Sequence, residues 1–244
     1  MSKSTINEAE VKKFSDMADE WWDLNGKFKP LHKFNPIRIS FIKDRIIQHF
    51  ALDKNLQKPL ENLKIADIGC GGGLICEPLA LFGAKITGID ASAKNIEIAK
   101  AHAQKTNLEI NYQNKEVEIL AQESEKFSVV LALEVVEHVD NIQNFIESLA
   151  NCLEKDGILF IATLNRTLIS YIKAIIGAEY VLRWLPKGTH DFKKFLKPSQ
   201  INKMAENANL KLLEEKGFDY NLIKDSWKIT NNLDVNYIMV FQKR

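Results

Sequence analysis

The sequence predicts an α/β fold built on a mostly parallel sheet with helices on both faces. Three observations point to it. From Leu63 onward short apolar runs alternate with helical stretches of roughly ten to fifteen residues, the pattern of βαβ units. A glycine cluster, IADIGCGGG from Ile65 to Gly73, follows the first apolar run directly. An acid, Asp90, closes the second run about twenty residues later, where doubly wound sheets place a ligand-binding carboxylate.

The elements follow in order. INEAEVKKFSDMADEWWD repeats apolar residues at Val11, Phe14, Met17, Ala18, Trp21 and Trp22, close to helical period. LNGKFKPLHKFNP reads as a loop punctuated by Gly and Pro. PIRISFIKDRIIQHF, with Ile39, Ile42, Ile46 and Ile47, is a second amphipathic helix. LKIADIG is a short apolar strand, and GLICEPLALFG a helix that stops at Gly83. AKITGID is the second strand, followed by a helix that Ser92 caps. LEINYQN is a third strand by alternation, and FSVVLALEVV begins as a fourth. NIQNFIESLANCLEKDG is a helix closed by Gly157, and ILFIATLN is the fifth strand. After a long aromatic and basic stretch, PSQINKMAENAN is a further helix. LKLLEEKGF and VNYIMVFQK end the chain as two strands close enough in sequence to pair antiparallel. The sheet is thus expected to hold seven strands, with one antiparallel strand near its edge.

Composition narrows the function classes. The 244 residues carry 33 basic and 32 acidic side chains, so a net charge of +1 gives no electrostatic case for a nucleic-acid partner. The three cysteines, Cys70, Cys76 and Cys152, fit reduced thiols of a cytoplasmic chain, and Cys70 and Cys76 lack partners at zinc spacing. The N-terminus is polar and contains Glu8 and Glu10, which predicts neither a secretory signal nor a transit peptide. No window is long and apolar enough to span a bilayer.

The glycine loop is the informative motif. A dinucleotide fingerprint needs G-x-G-x-x-G/A; Gly69 and Gly71 fit, but the last position falls on Leu74. No Gly-Lys-Ser/Thr follows, so the phosphate loop of nucleotide hydrolases is also absent. What remains is Asp67-x-Gly69-x-Gly71-x-Gly73 with Asp90 downstream. This arrangement resembles the class I S-adenosylmethionine-dependent methyltransferases, which implies a Rossmann-like sheet. The ligand's chemistry agrees. It has no phosphate, its amino-acid end needs backbone contacts and a nearby acid, and Asp90 can accept both ribose hydroxyls. The alternative is a glycine-rich turn capped by an aspartate.

In that resemblance the end of the fourth strand lies beside the reacting centre, and Leu133 flanks the cofactor. Glu134, Glu137 and His138 follow at i, i+3 and i+4, a spacing that puts them on one face if the chain turns helical there. Such a set can hold a divalent ion, Mg²⁺ rather than a soft metal. His138 can alternatively act as a general base, with Glu137 as its companion at the catalytic site. A third alternative is a helix start with acids favoured by the dipole and a histidine bonded to a carbonyl.

Longer motifs refine the resemblance. HKFNPIR, DIGCGGG, LEVVEHV, TLNRT, GAEYVLRWLPKGTHDFKKFLKPS and DVNYI together are similar to the ubiquinone biosynthesis O-methyltransferase family, from about Phe14 to the end. The resemblance implies methylation of catechol hydroxyls on polyprenylated precursors, at both an early catechol and a late demethyl-ubiquinol. It implies that Arg38 reaches S-adenosylmethionine together with Gly69, Asp90 and Leu133. It also implies a membrane-resident substrate, peripheral attachment at the cytoplasmic face of the inner membrane, and neighbouring enzymes of the pathway as partners. A phenol with a pKa of roughly 10 needs a base or a metal to become a nucleophile. The competing readings are a related enzyme with another small-molecule phenol, and a binding module that has lost catalysis.

The expected organisation is one domain: an N-terminal helical cap (1–55), a cofactor-binding core (63–163), an insertion (164–196), and a C-terminal helix and strand pair (197–244). In the insertion Leu168, Ile169, Ile172, Ile175 and Ile176 recur on one face with Lys173 opposite, followed by Tyr180, Arg183, Trp184 and Lys187. Aromatics mixed with basic groups suit a bilayer interface. An ordinary lid or a dimer contact is the alternative. His190 and Asp191 close the segment. The N-terminal helix with Trp21 and Trp22 is expected to cover the cofactor.

Overall fold

The structure, a computed structural model, describes residues 4–171, 192–221 and 224–244. The elements in chain order are α1 (Glu8–Asp16), a 3₁₀ turn (Ala18–Glu20), α2 (Lys29–His49), β1 (Lys64–Ile68), α3 (Cys76–Leu81), β2 (Lys85–Asp90) and α4 (Ala93–Lys105). They continue with β3 (Asn111–Asn114), α5 (Val117–Leu120), β4 (Phe127–Leu133), a 3₁₀ turn (Val136–His138), α6 (Ile142–Cys152) and β5 (Leu153–Leu164). The last are α7 (Leu168–Ser170), a 3₁₀ turn (Phe192–Lys194), α8 (Pro198–Asn207), β6 (Leu210–Asn221), β7 (Ser226–Thr230) and β8 (Asn236–Lys243).

Among the described residues the strands form one sheet of eight, in the order β3-β2-β1-β4-β5-β8-β6-β7. The first five pair in parallel and the last three are joined to them and to each other antiparallel. The expected α/β fold is present, with one strand more than expected. The chain leaves β1 toward β2 and β3 and returns to β4 on the other side. This reversal opens a crevice at the carboxyl ends of β1 and β4, the position where such sheets bind ligands.

Alternation along the strands divides the core into two layers. Ile65, Val129, Leu131, Ile158, Phe160, Ile238 and Val240 face one way and pack against Phe41, Ile42 and Ile46 of α2 and Leu79 of α3. Ala66, Val130, Ala132, Leu159, Ile161, Met239 and Phe241 face the other way, onto Phe145 and Leu149 of α6 and Ile201 of α8. Both layers are closed, so each central strand reads as an uninterrupted apolar run. Cys70, Cys76 and Cys152 are buried free thiols within this core.

Three boundaries differ from expectation. The loop read at 24–36 is helical from Lys29, because Pro30 stands in the first turn, where its missing N–H is needed by no intrahelical bond. Pro36 lies inside α2. Gly157 does not close α6, which ends at Cys152; Gly157 lies within β5, beside a shift in the β4–β5 register. The third difference is β7, which pairs with the second half of β6 from Gly217↔Thr230 to Asn221↔Ser226.

Within the insertion, Leu168 and Tyr171 are exposed and Ile169 is 44% exposed. The remaining residues named there, from Ile172 to Asp191, lie outside the described residues.

Candidate active site

A cavity of ≈ 390 Å³ occupies the crevice. That size suits a small-molecule ligand. It runs from the glycine loop and the end of β2, past the end of β4, to the β6–β7 hairpin, where Phe218, Tyr220 and Trp227 line it.

The loop after β1 is shaped by positive φ angles at Gly69 (72°) and Gly71 (53°). Side chains there would be strained and obstructed: a Cβ on Gly69 would stand 2.5 Å from Val135, and one on Gly71 would run into the Trp21 indole. Gly69 and Cys70 donate their N–H groups to the Ile89 carbonyl, which ties the loop to β2. Leu74, the residue at odds with a dinucleotide fingerprint, packs with Ala18, Trp21 and Phe28 in a small cap cluster.

Asp90 stands across from this loop. One carboxylate oxygen accepts from Gly71 N–H at 2.9 Å; the other accepts from Ser92 N–H at 2.8 Å and the Asn95 amide at 3.2 Å. Burial pushes its pKa up, and these bonds oppose that rise. A carboxylate offers about four acceptor sites, so three protein donors leave about one for a ligand. The expected bidentate grip on two ribose hydroxyls therefore requires one of the protein bonds to yield.

Asp67, at the end of β1, is 3% exposed and accepts from the Cys76 thiol at 3.2 Å. Burial raises its pKa from 3.8 to about 7. Arg38 of α2 is 2% exposed, far from the solvated helix charge its position in the sequence suggests. It donates to Glu134 at 3.0 Å and to the Asn35 side chain, and lies 4.4 Å over the Phe34 ring. Burial lowers the pKa of its guanidinium, and Glu134, Asp67 and Glu137 pull the other way.

The chain does not turn helical directly after Leu133. Glu134 adopts φ 56°, a left-handed conformation unfavourable for a non-glycine residue. The 3₁₀ turn begins only at Val136. The expected i, i+3, i+4 face is thereby lost. The Glu134 carboxylate is turned to Arg38, and the His138 ring to Glu10. Among the described residues no three His, Cys, Asp or Glu side chains form a group able to hold a metal ion, so as placed Glu134, Glu137 and His138 do not fit an Mg²⁺ site. Burial, with the neighbouring Glu137 charge, raises the pKa of Glu134.

Glu137 and His138 both line the cavity. Glu137 is 5% exposed, and its Oε2 has no hydrogen-bond partner. His138 places Nδ1 3.1 Å from Glu10 Oε2, while Glu10 Oε1 accepts from Lys194 at 2.6 Å. The hydrogen bond from His138 is the main cause holding the Glu10 carboxyl down at about 2, with Lys194 assisting against burial. Phe14 meets the His138 ring edge-on at 5.1 Å.

The N-terminal segment lies over the glycine loop. Trp21 donates to Asn95 at 2.9 Å and stacks on Phe28, and Trp22 donates to the Gly72 carbonyl at 2.9 Å and stacks on His102. Three site residues escaped the sequence reading. Glu10 looks like a local helix-capping residue at Asn7-x-x-Glu10, Lys194 one of several surface lysines, and Trp227 part of a short loop. For Trp227 the alternation of Trp227 and Ile229 was an available signal; for the other two none existed in one sequence.

Comparison with known proteins adds the following. Residues 38–215 match the methyltransferase domain family. The chain is 53% identical over 240 residues to the ubiquinone biosynthesis O-methyltransferase of Pelagibacter ubique (strain HTCC1062), covering 98% of this chain and 99% of that protein. It is 48% identical to the protein of the same name from Chelativorans sp. (strain BNC1), covering 99% and 95%. Among solved structures it resembles magnesium protoporphyrin IX methyltransferase from Synechocystis PCC 6803 with bound SAH, at TM-score 0.66 and 20% identity over 98% of this chain and 100% of that one. It also resembles an N-methyltransferase from Bradyrhizobium japonicum in complex with S-adenosyl-L-homocysteine, at TM-score 0.58 and 15% identity over 96% and 97%.

Proposed function

This chain belongs to the ubiquinone biosynthesis O-methyltransferase family, and from that premise we propose how its site performs the transfer. The chain is an S-adenosylmethionine-dependent O-methyltransferase acting on a quinone precursor. The finer reading is that the acceptor is a polyprenylated catechol, and that one site serves both the early catechol and the late demethyl-ubiquinol. The observation that supports this best is the continuity of one cavity from the Asp67–Gly71 loop, past Leu133 and His138, to an aromatic wall at Phe218 and Trp227.

The residues present suit the nucleoside. Arg38 Nε, Glu118 Oε2 and Glu137 Oε2 are buried polar atoms without partners, on residues that line the cavity. One donor and two acceptors match a ligand carrying a carboxylate and amines. Asp67, whose ionisation burial opposes, is stabilised by an ammonium group. Asp90 and the Gly69–Gly71 backbone would hold the ribose end, and Leu133 would flank the adenine or the methionine moiety. When bound, S-adenosylmethionine supplies a methyl group made electrophilic by its sulfonium sulfur.

The chain's own residues do the rest. A catechol oxygen must lose its proton as it bonds to the methyl carbon. With Nδ1 facing Glu10, His138 keeps Nε2 for that proton, the general-base role. His138 would take the phenol proton as the oxygen accepts the methyl group that bound S-adenosylmethionine would supply, the sulfonium sulfur becoming a neutral thioether. Holding the acceptor oxygen in line with the methyl group within the cavity would supply much of the acceleration. No step is routed through a metal, since Glu134 and His138 would have to leave Arg38 and Glu10 to share one.

Membrane contact is part of the reading, because a polyprenyl tail partitions into lipid. The exposed apolar side chains Leu168 and Tyr171, at the start of the insertion, support it. No helix among the described residues is long and apolar enough to cross a membrane. The test of the function is methyl transfer from labelled S-adenosylmethionine to a short-chain prenyl catechol, followed by mass spectrometry. The expected result is a monomethylated product, with turnover reduced at least about tenfold in His138→Ala. Unchanged turnover in that variant would remove His138 as the base; no product with any prenyl catechol or quinol would remove the acceptor assignment.

A further inference from the structure

The N-terminal segment reaches the reaction centre. An antiparallel bridge joins Ile6 to Val139, Asp140 N–H donates to the Thr5 carbonyl at 2.9 Å, and Asn7 donates to the Asp140 side chain at 2.7 Å. These contacts stitch the segment to the two residues that follow His138. They set the first turn of α1, and Glu10 with it, against the imidazole.

Glu10 occupies the third position of α1, behind Asn7 as N-cap. A glutamate there ordinarily bends back to the N-cap N–H in a capping box. Glu10 does something else: its two oxygens go to His138 Nδ1 and to Lys194 Nζ. The carboxylate and the imidazole are each 17% exposed, so the bond is sheltered from solvent.

We propose that Glu10 is a positioning residue for the transfer reaction: it fixes the His138 ring and its tautomer, and Lys194 holds Glu10 in place. The proposal rests on the base role given to His138 above. An ionised carboxylate paired with a lysine can only accept, so His138 Nδ1 must donate. In the neutral ring the acceptor lone pair then lies on Nε2. A buried carboxylate performs the same service for the histidine of the Ser-His-Asp triad, where it orients the ring without itself taking a proton. The N-terminal segment is thus more than a cover, because it brings an acid that no core element supplies. Lys194 comes from the 3₁₀ turn just before Phe195, which is 1% exposed, so a second, distant segment of the chain anchors the clasp.

The experiment compares Glu10→Gln, Glu10→Ala, Lys194→Ala and His138→Gln in the full-length enzyme. It measures kcat, KM for both substrates, S-adenosylhomocysteine affinity, and ¹⁵N chemical shifts of the histidine rings, with His138→Gln assigning the His138 signals. In wild type His138 is expected as the Nδ1–H tautomer. Glu10→Ala and Glu10→Gln should lower kcat by at least about 10-fold, the lower end of the loss when a metal-bound histidine loses its orienting carboxylate, with KM and affinity near wild type. The Nδ1–H signature should be lost or mixed with Nε2–H. Lys194→Ala should move both readouts the same way by a smaller factor. Wild-type kcat and an unchanged tautomer in Glu10→Gln, a variant of equal size, would overturn the proposal. That result is distinct from failure of the base role itself, which shows as full turnover in His138→Gln.

Discussion

Asp67 sits behind the glycine loop in a setting that penalises its charge. Its pKa rises from 3.8 to about 7 through burial, against a weak opposing pull from the Cys76 thiol and Arg38. Between those two values the folded protein binds more protons at this position than the unfolded chain, so stability falls as pH rises through the interval. Asp67→Asn removes that dependence. We expect chemical denaturation of the unliganded protein between pH 4 and pH 7 to show wild type losing stability relative to Asp67→Asn, by an amount on the order of 1 kcal/mol or more. Parallel stability curves for the two proteins would mean that Asp67 titrates normally. At this scale the sequence shows what local chemistry reveals. Gly69, Gly71 and Asp90 are legible because a strand, a run of positive-φ residues and a second acid form one short pattern. Arg38 becomes legible only through family resemblance, since a basic residue on an amphipathic helix ordinarily faces water. Glu10 is hidden by its own local logic: its spacing from Asn7 is that of a capping box, and its actual partners are 128 and 184 residues away.

β7 is the strand that sequence periodicity missed, and with β6 it forms a hairpin that walls the cavity at the end away from Asp90. In the sheet order Asp90 on β2 and Trp227 on β7 stand on opposite sides of the β1–β4 crevice, which puts the hairpin in the half proposed for the acceptor. Trp227 stacks on Phe34 at 4.2 Å, and Phe218 meets Phe34 edge-on at 5.1 Å. Replacing Trp227 by Ala should raise KM for the phenolic acceptor by roughly three- to tenfold, from the loss of an aromatic partner. Affinity for S-adenosylhomocysteine should stay as in wild type, and steady-state kinetics paired with calorimetry separates the two. An unchanged acceptor KM would place the acceptor elsewhere in the cavity. The other misread elements have physical causes of the same kind. Pro30 reads as a loop residue but is favourable in the first turn of a helix. Gly157 reads as a helix stop, yet it belongs to a strand whose register shifts beside it. Glu134 breaks the helical face expected of the acid–acid–histidine set, because no propensity rule anticipates φ 56° at a glutamate.

For the whole molecule, the alternation of strand and helix sufficed to give the parallel half of the sheet, because β1, β4 and the second half of β5 are buried on both faces and read as largely apolar runs, while the edge strand β3 shows only alternation. The antiparallel end is less legible: β6 alternates buried and exposed residues and β7 is five residues long, so pairing rather than pattern defines them. Residues 5–10 and the turn before α8 meet around His138 and the two residues after it, and the last strands wall the cavity that β1, β2 and β4 open. The account's central claim is that the loop at Gly69–Gly71 and the carboxylate of Asp90 bind the nucleoside of S-adenosylmethionine. Calorimetric titration of the purified protein with S-adenosylhomocysteine tests it most directly. One saturable site per chain, weakened at least about tenfold in Asp90→Ala, is the predicted result; the absence of any binding, or equal affinity in the two proteins, would contradict it.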